Sequence, residues 1–266
     1  MKSSNPIGIF DSGTGGLTVA KAVKEHLPNE QIVYFGDSAH LPYGDKSTAT
    51  IQSYAIKITD VLLKHNCKVI LIACNSASAA AFDLIKAYAG SKAKVINVID
   101  PVANYVSDTF SGKNVGLIGT LHTVNSTVFH QKLIKKVKQF HALATPLLVP
   151  MIEEQFVHNN ISQDVISTYL SDDNLANIDA LILGCTHYPI IKDEINDYYG
   201  GKVNIIDSAQ MVSAALKTYL TKNDLLNNEE AAKDKFLVSD YTEAFEKAAQ
   251  FFFGDEISLE KYPLWE

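Results

Sequence analysis

The sequence has no long apolar run and a deficit of positive charge. Its longest apolar stretches, such as residues 69–73 and 180–183, are far shorter than the roughly 20 residues that span a bilayer. The formal charge of −7 opposes a polyanionic partner, because nucleic-acid binding relies on basic patches. We therefore expect neither a membrane nor a nucleic acid as a partner, and the composition favours small-molecule chemistry.

Cysteine is also scarce, and the glycines do not form a phosphate-binding pattern. Three cysteines, Cys67, Cys74 and Cys185, are too few and too widely spaced for a disulfide framework or a paired Cys-x-x-Cys zinc site. The glycines of residues 13–16 do not satisfy G-x-G-x-x-G, and no G-K-[ST] follows them. No apolar segment of signal-peptide length occurs near residue 1. We expect reduced thiols, no metal, no cofactor and a cytoplasmic location.

Short apolar runs alternate with longer amphipathic segments along the 266 residues. This rhythm is typical of a parallel α/β fold. Several runs are continuously apolar, as expected for strands that helices cover on both faces, so the sheets should be doubly wound. The predicted strands include 7–10, 31–35 and 68–73, and the predicted helices include 17–27, 48–65 and 77–88.

Three short motifs recur at similar offsets. Residues 8–12 resemble 116–120, Cys74 with its strand resembles Cys185 with its strand, and residues 97–100 resemble 204–207, at offsets of 108, 111 and 107. The common order predicts two similar α/β domains related by a pseudo-twofold axis, at 1–99 and 100–206, with a site in the cleft between them. Residues 207–266 should pack back on the first half, with a helix at 209–220, an exposed loop at 221–235, a strand at 236–238 and a helix at 242–252.

Cys74 and Cys185 each follow a predicted strand and precede a helix or turn. Such carboxyl-end turns line the ligand crevice of a parallel sheet, and a nearby helix amino terminus lowers a thiol pKa. One buried cysteine is usually only a small core residue, but two in matching positions indicate a functional pair. Thiols facing each other across a cleft could remove a proton from one face of a carbon and return one to the other, as a two-base racemase requires.

Other polar residues at these turns could assist, although each could equally cap a helix or shape a turn. His187 could tune the Cys185 thiol, and Asp11 could orient a neighbouring donor. Glu153 is by type a solvated charge that could enter the cleft, and Tyr43 could cover a site or only pack. Neutral hydrogen-bonding candidates are Ser12, Asn75, Ser76, Thr120, Thr123 and Thr186.

Together, residues 8–18, 36–44, 73–77 and 183–189 resemble the glutamate racemase family, in the same order and over most of the chain. The segment 150–154 also resembles the family's segment between its cysteine motifs. The resemblance implies a cofactor-independent, homodimeric cytoplasmic enzyme that interconverts L- and D-glutamate and supplies D-glutamate for peptidoglycan. It implies that Cys74 deprotonates D-glutamate and Cys185 L-glutamate, with Asp11, Glu153 and His187 assisting. The implied substrate contacts are Asp11, Ser12, Tyr43, Gly44, Asn75, Ser76, Thr120, Thr123, Thr186 and His187.

The sequence departs from the family pattern at two positions. Ser76 stands where threonine is common, which keeps the hydroxyl, and His40 stands where arginine is common, which puts an ion pair of that arginine in doubt. The long amino-terminal extension of members activated by a cell-wall precursor is not seen, so we expect no such dependence.

Other activities remain open at this point. A racemase of another acidic or hydantoin-type substrate, aspartate for example, could share the fold. A thiol hydrolase would use Cys185 and His187 and leave Cys74 without a role. A zinc-binding module could use Cys74, Cys185 and His187 with a fourth ligand, and a regulatory protein could retain the fold without activity.

Overall fold

The computed structural model describes residues 1–254 and 257–266. The strands are β1 (Ile7–Asp11), β2 (Ile32–Gly36), β3 (Val69–Ile72), β4 (Lys94–Asn97), β5 (Asn114–Gly119), β6 (Gln139–Ala144), β7 (Ala180–Gly184), β8 (Asn204–Asp207), β9 (Lys235–Val238) and β10 (Leu259–Lys261). The helices are α1 (Leu17–His26), α2 (Thr48–Lys64), α3 (Asn75–Ala89), α4 (Ile99–Thr109), α5 (Leu121–Asn125), α6 (Val128–Leu133), α7 (Leu148–Glu153), α8 (Asn160–Leu170), α9 (Lys192–Tyr198), α10 (Ser208–Lys222) and α11 (Glu243–Phe253).

The strands form two parallel sheets, which confirms the predicted fold class. The first sheet has the order β10-β9-β2-β1-β3-β4 and the second β6-β5-β7-β8. The order β2-β1-β3-β4 therefore has the same topology as the second sheet, with β1 equivalent to β5 and β3 to β7. The register also repeats, because Phe10 pairs with Ile72 in the first sheet and Ile118 with Leu183 in the second. These are the offsets of 108 and 111 that the sequence repeats.

Alternate side chains of the first sheet enter two separate cores. Ile7 and Ile9 belong to one apolar cluster together with α1, α4 and α10. Phe10 and the side chains of α2 and α3 form the other cluster. Burial on both faces explains why these strands are almost continuously apolar, and each fully buried Ile or Phe contributes about 1.5–3 kcal/mol of stability.

The carboxyl-terminal part extends the first sheet. Strand β9 pairs with β2, and β10 pairs with β9, while helix α10 packs against α1 and α4. Strand β10 was not predicted. Within the predicted exposed loop at 221–235, Asn227 is buried and its backbone N–H donates to Glu30. The boundaries at 99 and 206 stay a prediction.

Within residues 1–254 and 257–266, no helix combines the length and the apolar character that crossing a bilayer requires.

Candidate active site

A small cavity of about 20 Å³ lies between the two domains, at the edge where the carboxyl ends of both sheets meet. Each domain contributes turns that follow its central strands, which is where α/β sheets place their ligands. The first domain lines the cavity with Ser12, Pro42, Tyr43, Gly44, Cys74, Asn75 and Ser76, and the second with Thr120, Val149, Cys185, Thr186 and His187. Both thiols that the sequence singled out thus face one cavity, from opposite domains.

Cys74 caps the amino terminus of α3 and is 6% exposed. Its Sγ accepts a hydrogen bond from the backbone N–H of Ala77 at 3.4 Å, and its thiol donates to Ser12 Oγ over 3.8 Å. Burial, and to a lesser extent the negative charge of Asp11, raise the pKa of Cys74 to about 12, against the lowering by the Ala77 N–H. The helix end therefore lowers this pKa as predicted, but the net shift is upward because desolvation outweighs one weak hydrogen bond.

Cys185 lies beside His187, whose ring also contacts the Glu153 carboxylate. His187 Nδ1 is 3.7 Å from Cys185 Sγ, and His187 Nε2 is 3.0 Å from Glu153 Oε1. Burial lowers the pKa of His187, but the hydrogen bonds to Cys185 and Glu153 outweigh it and raise that pKa to about 10. The protonated imidazole therefore places a positive charge next to the Cys185 sulfur. Glu153 contacts His187 and does not line the cavity.

Asp11 lies beneath the cavity at the end of β1 and is fully buried. Its Oδ2 accepts from the Gly13 N–H at 3.0 Å, and Thr186 Oγ1 donates to Oδ1 at 3.5 Å. Burial raises the pKa of Asp11, although His187 and backbone N–H groups work in the opposite direction. Asp11 therefore links the first domain to the turn that carries Thr186 and His187, and the structure does not place it on the cavity wall.

Because the pKa of Asp11 is raised above its unfolded value, its ionised form costs stability once the pH exceeds the range where the unfolded carboxyl titrates. We expect Asp11→Asn to raise the free energy of unfolding at pH 8 by about 1 kcal/mol while it lowers activity. Urea unfolding at pH 8 and at pH 3 measures this, and the gain should vanish at pH 3. An Asp11→Asn variant that is less stable than wild type at pH 8 would contradict a raised pKa of Asp11.

Hydroxyl groups join the two domains beside the cavity. Ser76 Oγ is 2.9 Å from Thr120 Oγ1 and 3.4 Å from Thr123 Oγ1. Thr120 lines the cavity, whereas Thr123 lies behind it. At Gly15 an added Cβ would come within 2.4 Å of His187 Nδ1, so only glycine permits this approach of the first domain to His187.

The amide group of Asn75 lies in the cavity wall and is buried, yet neither its nitrogen nor its oxygen has a hydrogen-bond partner in the described chain. Buried polar groups are rarely left unpaired, because desolvation costs about 1–3 kcal/mol for each group. Asn75 therefore offers both donors and an acceptor to a polar ligand.

The sequence did not identify three residues near the cavity as candidate site residues. Pro42 and Val149 line it, and Asp37 lies behind Tyr43 with a carboxylate that several side chains share. Val149 belongs to α7, which follows β6. Because β6 is equivalent to β2, and the segment after β2 lines the cavity, the internal repeat could have identified Val149. Asp37 directly follows β2, a position that also signals proximity to the ligand edge.

His40, at the position where arginine is common in the family, also contacts Asp37, because its Nδ1 is 3.1 Å from Oδ1. Among residues 1–254 and 257–266, no three His, Cys, Asp or Glu side chains are grouped to hold a metal ion.

Comparison with known proteins agrees with this geometry. The family model described as Asp/Glu/Hydantoin racemase matches residues 17–216. A glutamate racemase from Chlorobaculum tepidum is 41% identical over 261 residues, which cover 97% of this chain and 95% of that protein. The structure of glutamate racemase from Francisella tularensis in complex with D-glutamate is 40% identical, with a TM-score of 0.91 and 99% coverage of both chains. That of Thermus thermophilus glutamate racemase with β-chloro-D-alanine is 36% identical, with a TM-score of 0.89 and 98% coverage of both chains.

Two α/β domains that share one cavity and match these relatives define an isomerase. The chain belongs to the Asp/Glu/hydantoin racemase family. Within that family its relatives at about 40% identity are glutamate racemases, so the chain is an amino-acid racemase and the resemblance read from the sequence is confirmed.

Proposed function

We propose that this protein interconverts L- and D-glutamate without a cofactor, by two proton transfers that use Cys74 and Cys185. The observation that carries the proposal is that each domain contributes one cysteine to a single cavity. The complex of a 40% identical relative with D-glutamate supports the choice of substrate. We further propose that the enzyme works in the cytoplasm as a homodimer and supplies D-glutamate for peptidoglycan.

In the proposed reaction, one sulfur removes the α-proton as a thiolate while the other, as a thiol, delivers a proton to the opposite face. Cys74 would act as the base on D-glutamate and Cys185 as the base on L-glutamate. One proton is taken up and one is released in each turnover, so the product leaves with inverted configuration. The two sulfurs are left with exchanged protonation states, which must be reset before the same enantiomer can react again.

The surroundings of the two sulfurs differ in a way that suits this exchange. Cys74 is buried near the negative charge of Asp11, whereas Cys185 lies next to the positive charge of His187. The substrate's ammonium group would bring positive charge into the cavity and favour the thiolate form of Cys74. Asp11, Glu153 and His187 are proposed to adjust the charge balance around the thiols without lying between them.

Neutral groups are proposed to bind the substrate. The chain contains no arginine, and the described lining of the cavity includes no lysine. The carboxylates of glutamate would therefore accept hydrogen bonds mainly from neutral hydroxyl, amide and backbone donors, with His187 as the positively charged group in the described lining. The proposed substrate contacts are Ser12, Tyr43, Gly44, Asn75, Ser76, Thr120, Thr186 and His187, with Asp11 and Thr123 supporting them from behind.

The direct test follows the circular dichroism of L-glutamate with purified protein and no added cofactor. The signal should decay to zero, and D-glutamate should reach the same end point from the opposite sign. L-Aspartate, the alternative substrate, is run in parallel. If aspartate loses its signal faster than glutamate, the racemase assignment stands and the substrate is wrong. If neither signal decays, the regulatory alternative replaces catalysis.

A thiol hydrolase is the other reading that a specific contact favours, since Cys185 and His187 are neighbours. That reading leaves the second cavity cysteine unused, whereas racemisation uses both. A Cys74→Ser variant that retains full activity towards an ester substrate would favour the hydrolase.

The pH dependence tests the role of His187. Its pKa is raised from 6.5 to about 10, so the imidazole carries its charge through the physiological range. We expect kcat for L-glutamate to fall as the pH rises through about 10, and His187→Asn to lack this limb. The free energy of unfolding should also fall with rising pH, because the stabilising contribution of His187 is complete below pH 6.5 and is lost as the pH rises through 10. A His187→Asn profile that keeps the alkaline limb would refute this role.

A further inference from the structure

Tyr43, a wall residue of the cavity, donates a hydrogen bond to a carboxylate that is shared with the far end of the chain. Tyr43 Oη donates to Asp37 Oδ2 at 2.6 Å. Asp37 Oδ1 accepts from Ser239 Oγ at 2.7 Å and from Trp265 Nε1 at 2.8 Å. His40 completes the set from a fourth side. We call Asp37, His40, Tyr43, Ser239 and Trp265 the Asp37 cluster.

The sheet explains how residues so distant in sequence meet. Asp37 follows β2, Ser239 follows β9, and Trp265 lies beyond β10. These three strands are parallel neighbours, so their carboxyl ends lie at one edge, which is the edge that carries the cavity. The chain beyond β10 therefore returns to the edge of the sheet that carries the cavity.

The carboxyl-terminal arm, defined as residues 259–266, is held firmly at this edge. The ring of Trp265 packs edge-on against His40 and Tyr54, with ring centroids 4.5 and 5.1 Å apart. Lys57 Nζ lies 4.7 Å from the centroid of the Trp265 ring. The Tyr262 N–H also donates to the Val238 carbonyl at 2.8 Å. Trp265 thus has an aromatic cage for its ring and one buried acceptor for its N–H.

Asp37 is fully buried, so the loss of one donor cannot be replaced freely by water. A carboxylate that loses the Trp265 donor can shift towards its remaining donors and draw the Tyr43 hydroxyl with it. Tyr43 and Gly44 form the cavity wall that faces Thr120, and an added Cβ at Gly44 would lie only 2.8 Å from Thr120 Cβ. A small displacement of this wall therefore changes the space that is left for a substrate.

We propose that Trp265 is a positioning residue of the racemase site, which holds the Tyr43 wall in place through Asp37 and thereby sets the affinity for substrate. Trp265 does not touch the cavity, and its effect passes through two hydrogen bonds. The kinetic part of this inference rests on the proposed function. A second measurement, the alkylation of Cys74, does not depend on glutamate being the substrate.

The kinetic experiment compares Trp265→Phe, which keeps an aromatic ring and removes the N–H donor, with Leu264→Ala, which weakens packing of the same arm without touching Asp37. We expect Trp265→Phe to raise KM by about three- to tenfold, as for the loss of one hydrogen bond, and to leave kcat within about twofold. Leu264→Ala should lower thermal stability and leave KM unchanged. A purely structural arm would give both variants the same loss of stability and no change in KM.

Double variants test the route through Asp37. If Trp265→Phe and Tyr43→Phe each raise KM about fivefold, independent effects would multiply to about 25-fold, and a shared carboxylate should keep the double variant below about tenfold. Multiplicative effects would overturn the proposed route.

The rate at which iodoacetamide alkylates Cys74, quantified by peptide mass spectrometry, reports directly on the position of the Tyr43 wall. Trp265→Phe should raise the rate at Cys74 several-fold and leave the rate at Cys67 unchanged, because Cys67 lies in the core beneath β1. Equal rates at Cys74 in wild type and Trp265→Phe would overturn the inference even if the protein does not racemise glutamate. If wild type racemises glutamate but Trp265→Phe keeps its KM, the proposed function survives and the inference fails.

Discussion

Cys74→Ala and Cys185→Ala should each reduce kcat for racemisation of glutamate by about 10²–10⁴-fold, the range that a positioned general acid or base contributes. Either substitution leaves one face of the α-carbon without a proton donor or acceptor, so inversion is blocked in both directions. The buried third cysteine supplies the matched control, and Cys67→Ala should retain kcat even if it unfolds at a lower temperature. Activity within about tenfold of wild type in either cavity variant would contradict the two-base mechanism.

Isotope incorporation separates a two-base from a one-base reaction in the wild-type enzyme. When L-glutamate reacts in D₂O, the D-glutamate formed should carry deuterium at the α-carbon from the start. The L-glutamate still present should remain unlabelled at early times, because a different sulfur delivers the new proton. Transfer of the original hydrogen to the product, measured by mass spectrometry after separation of the enantiomers, would indicate a single shuttling base.

Lys68→Met should lower the free energy of unfolding by about 3–5 kcal/mol, the largest stability effect that we expect from one substitution. Lys68 is fully buried and its Nζ lies 2.6 Å from Glu30 Oε2. The same ammonium group donates to the carbonyl oxygens of Ser3 and Leu225. Burial lowers the pKa of Lys68, while Glu30 acts to raise it, so the charge persists only because its partners surround it. Removing Lys68 leaves the Glu30 carboxylate buried without a counter-charge.

The double variant Lys68→Met with Glu30→Gln distinguishes lost charge pairing from lost packing. It should recover part of the stability, because the glutamine side chain no longer carries an unpaired charge while its amide oxygen can still accept from the Asn227 N–H. Urea unfolding followed by far-ultraviolet circular dichroism measures each variant. A loss below about 1 kcal/mol for Lys68→Met would show that the pair is dispensable.

The sequence predicted the elements that depend on local pattern. Continuous apolar runs marked β1, β3 and β7 because these strands are buried on both faces, and the repeated offsets predicted the equivalence of the two sheets. The placement of Cys74 and Cys185 followed from the same logic, since a residue at the end of a parallel strand faces the ligand edge.

Properties that depend on burial and on distant partners could not be read from the sequence. The pKa of Cys74 is set by how deeply the thiol is enclosed and by Asp11, 63 positions earlier in the chain. The pairing of His187 with Glu153 depends on where α7 lies after β6. Strand β10 is short and only three residues long, so it has too few positions for a period to be visible.

Trp265 is the single tryptophan of the chain, and it sits in a cage of His40, Tyr54 and Lys57. Excitation at wavelengths longer than the tyrosine absorption band therefore excites only the Trp265 indole. This indole donates to Asp37, the carboxylate that also accepts from Tyr43. The unlabelled enzyme carries its own optical reporter of the carboxyl-terminal arm, and glutamate, which does not absorb there, can be titrated against that emission without interference.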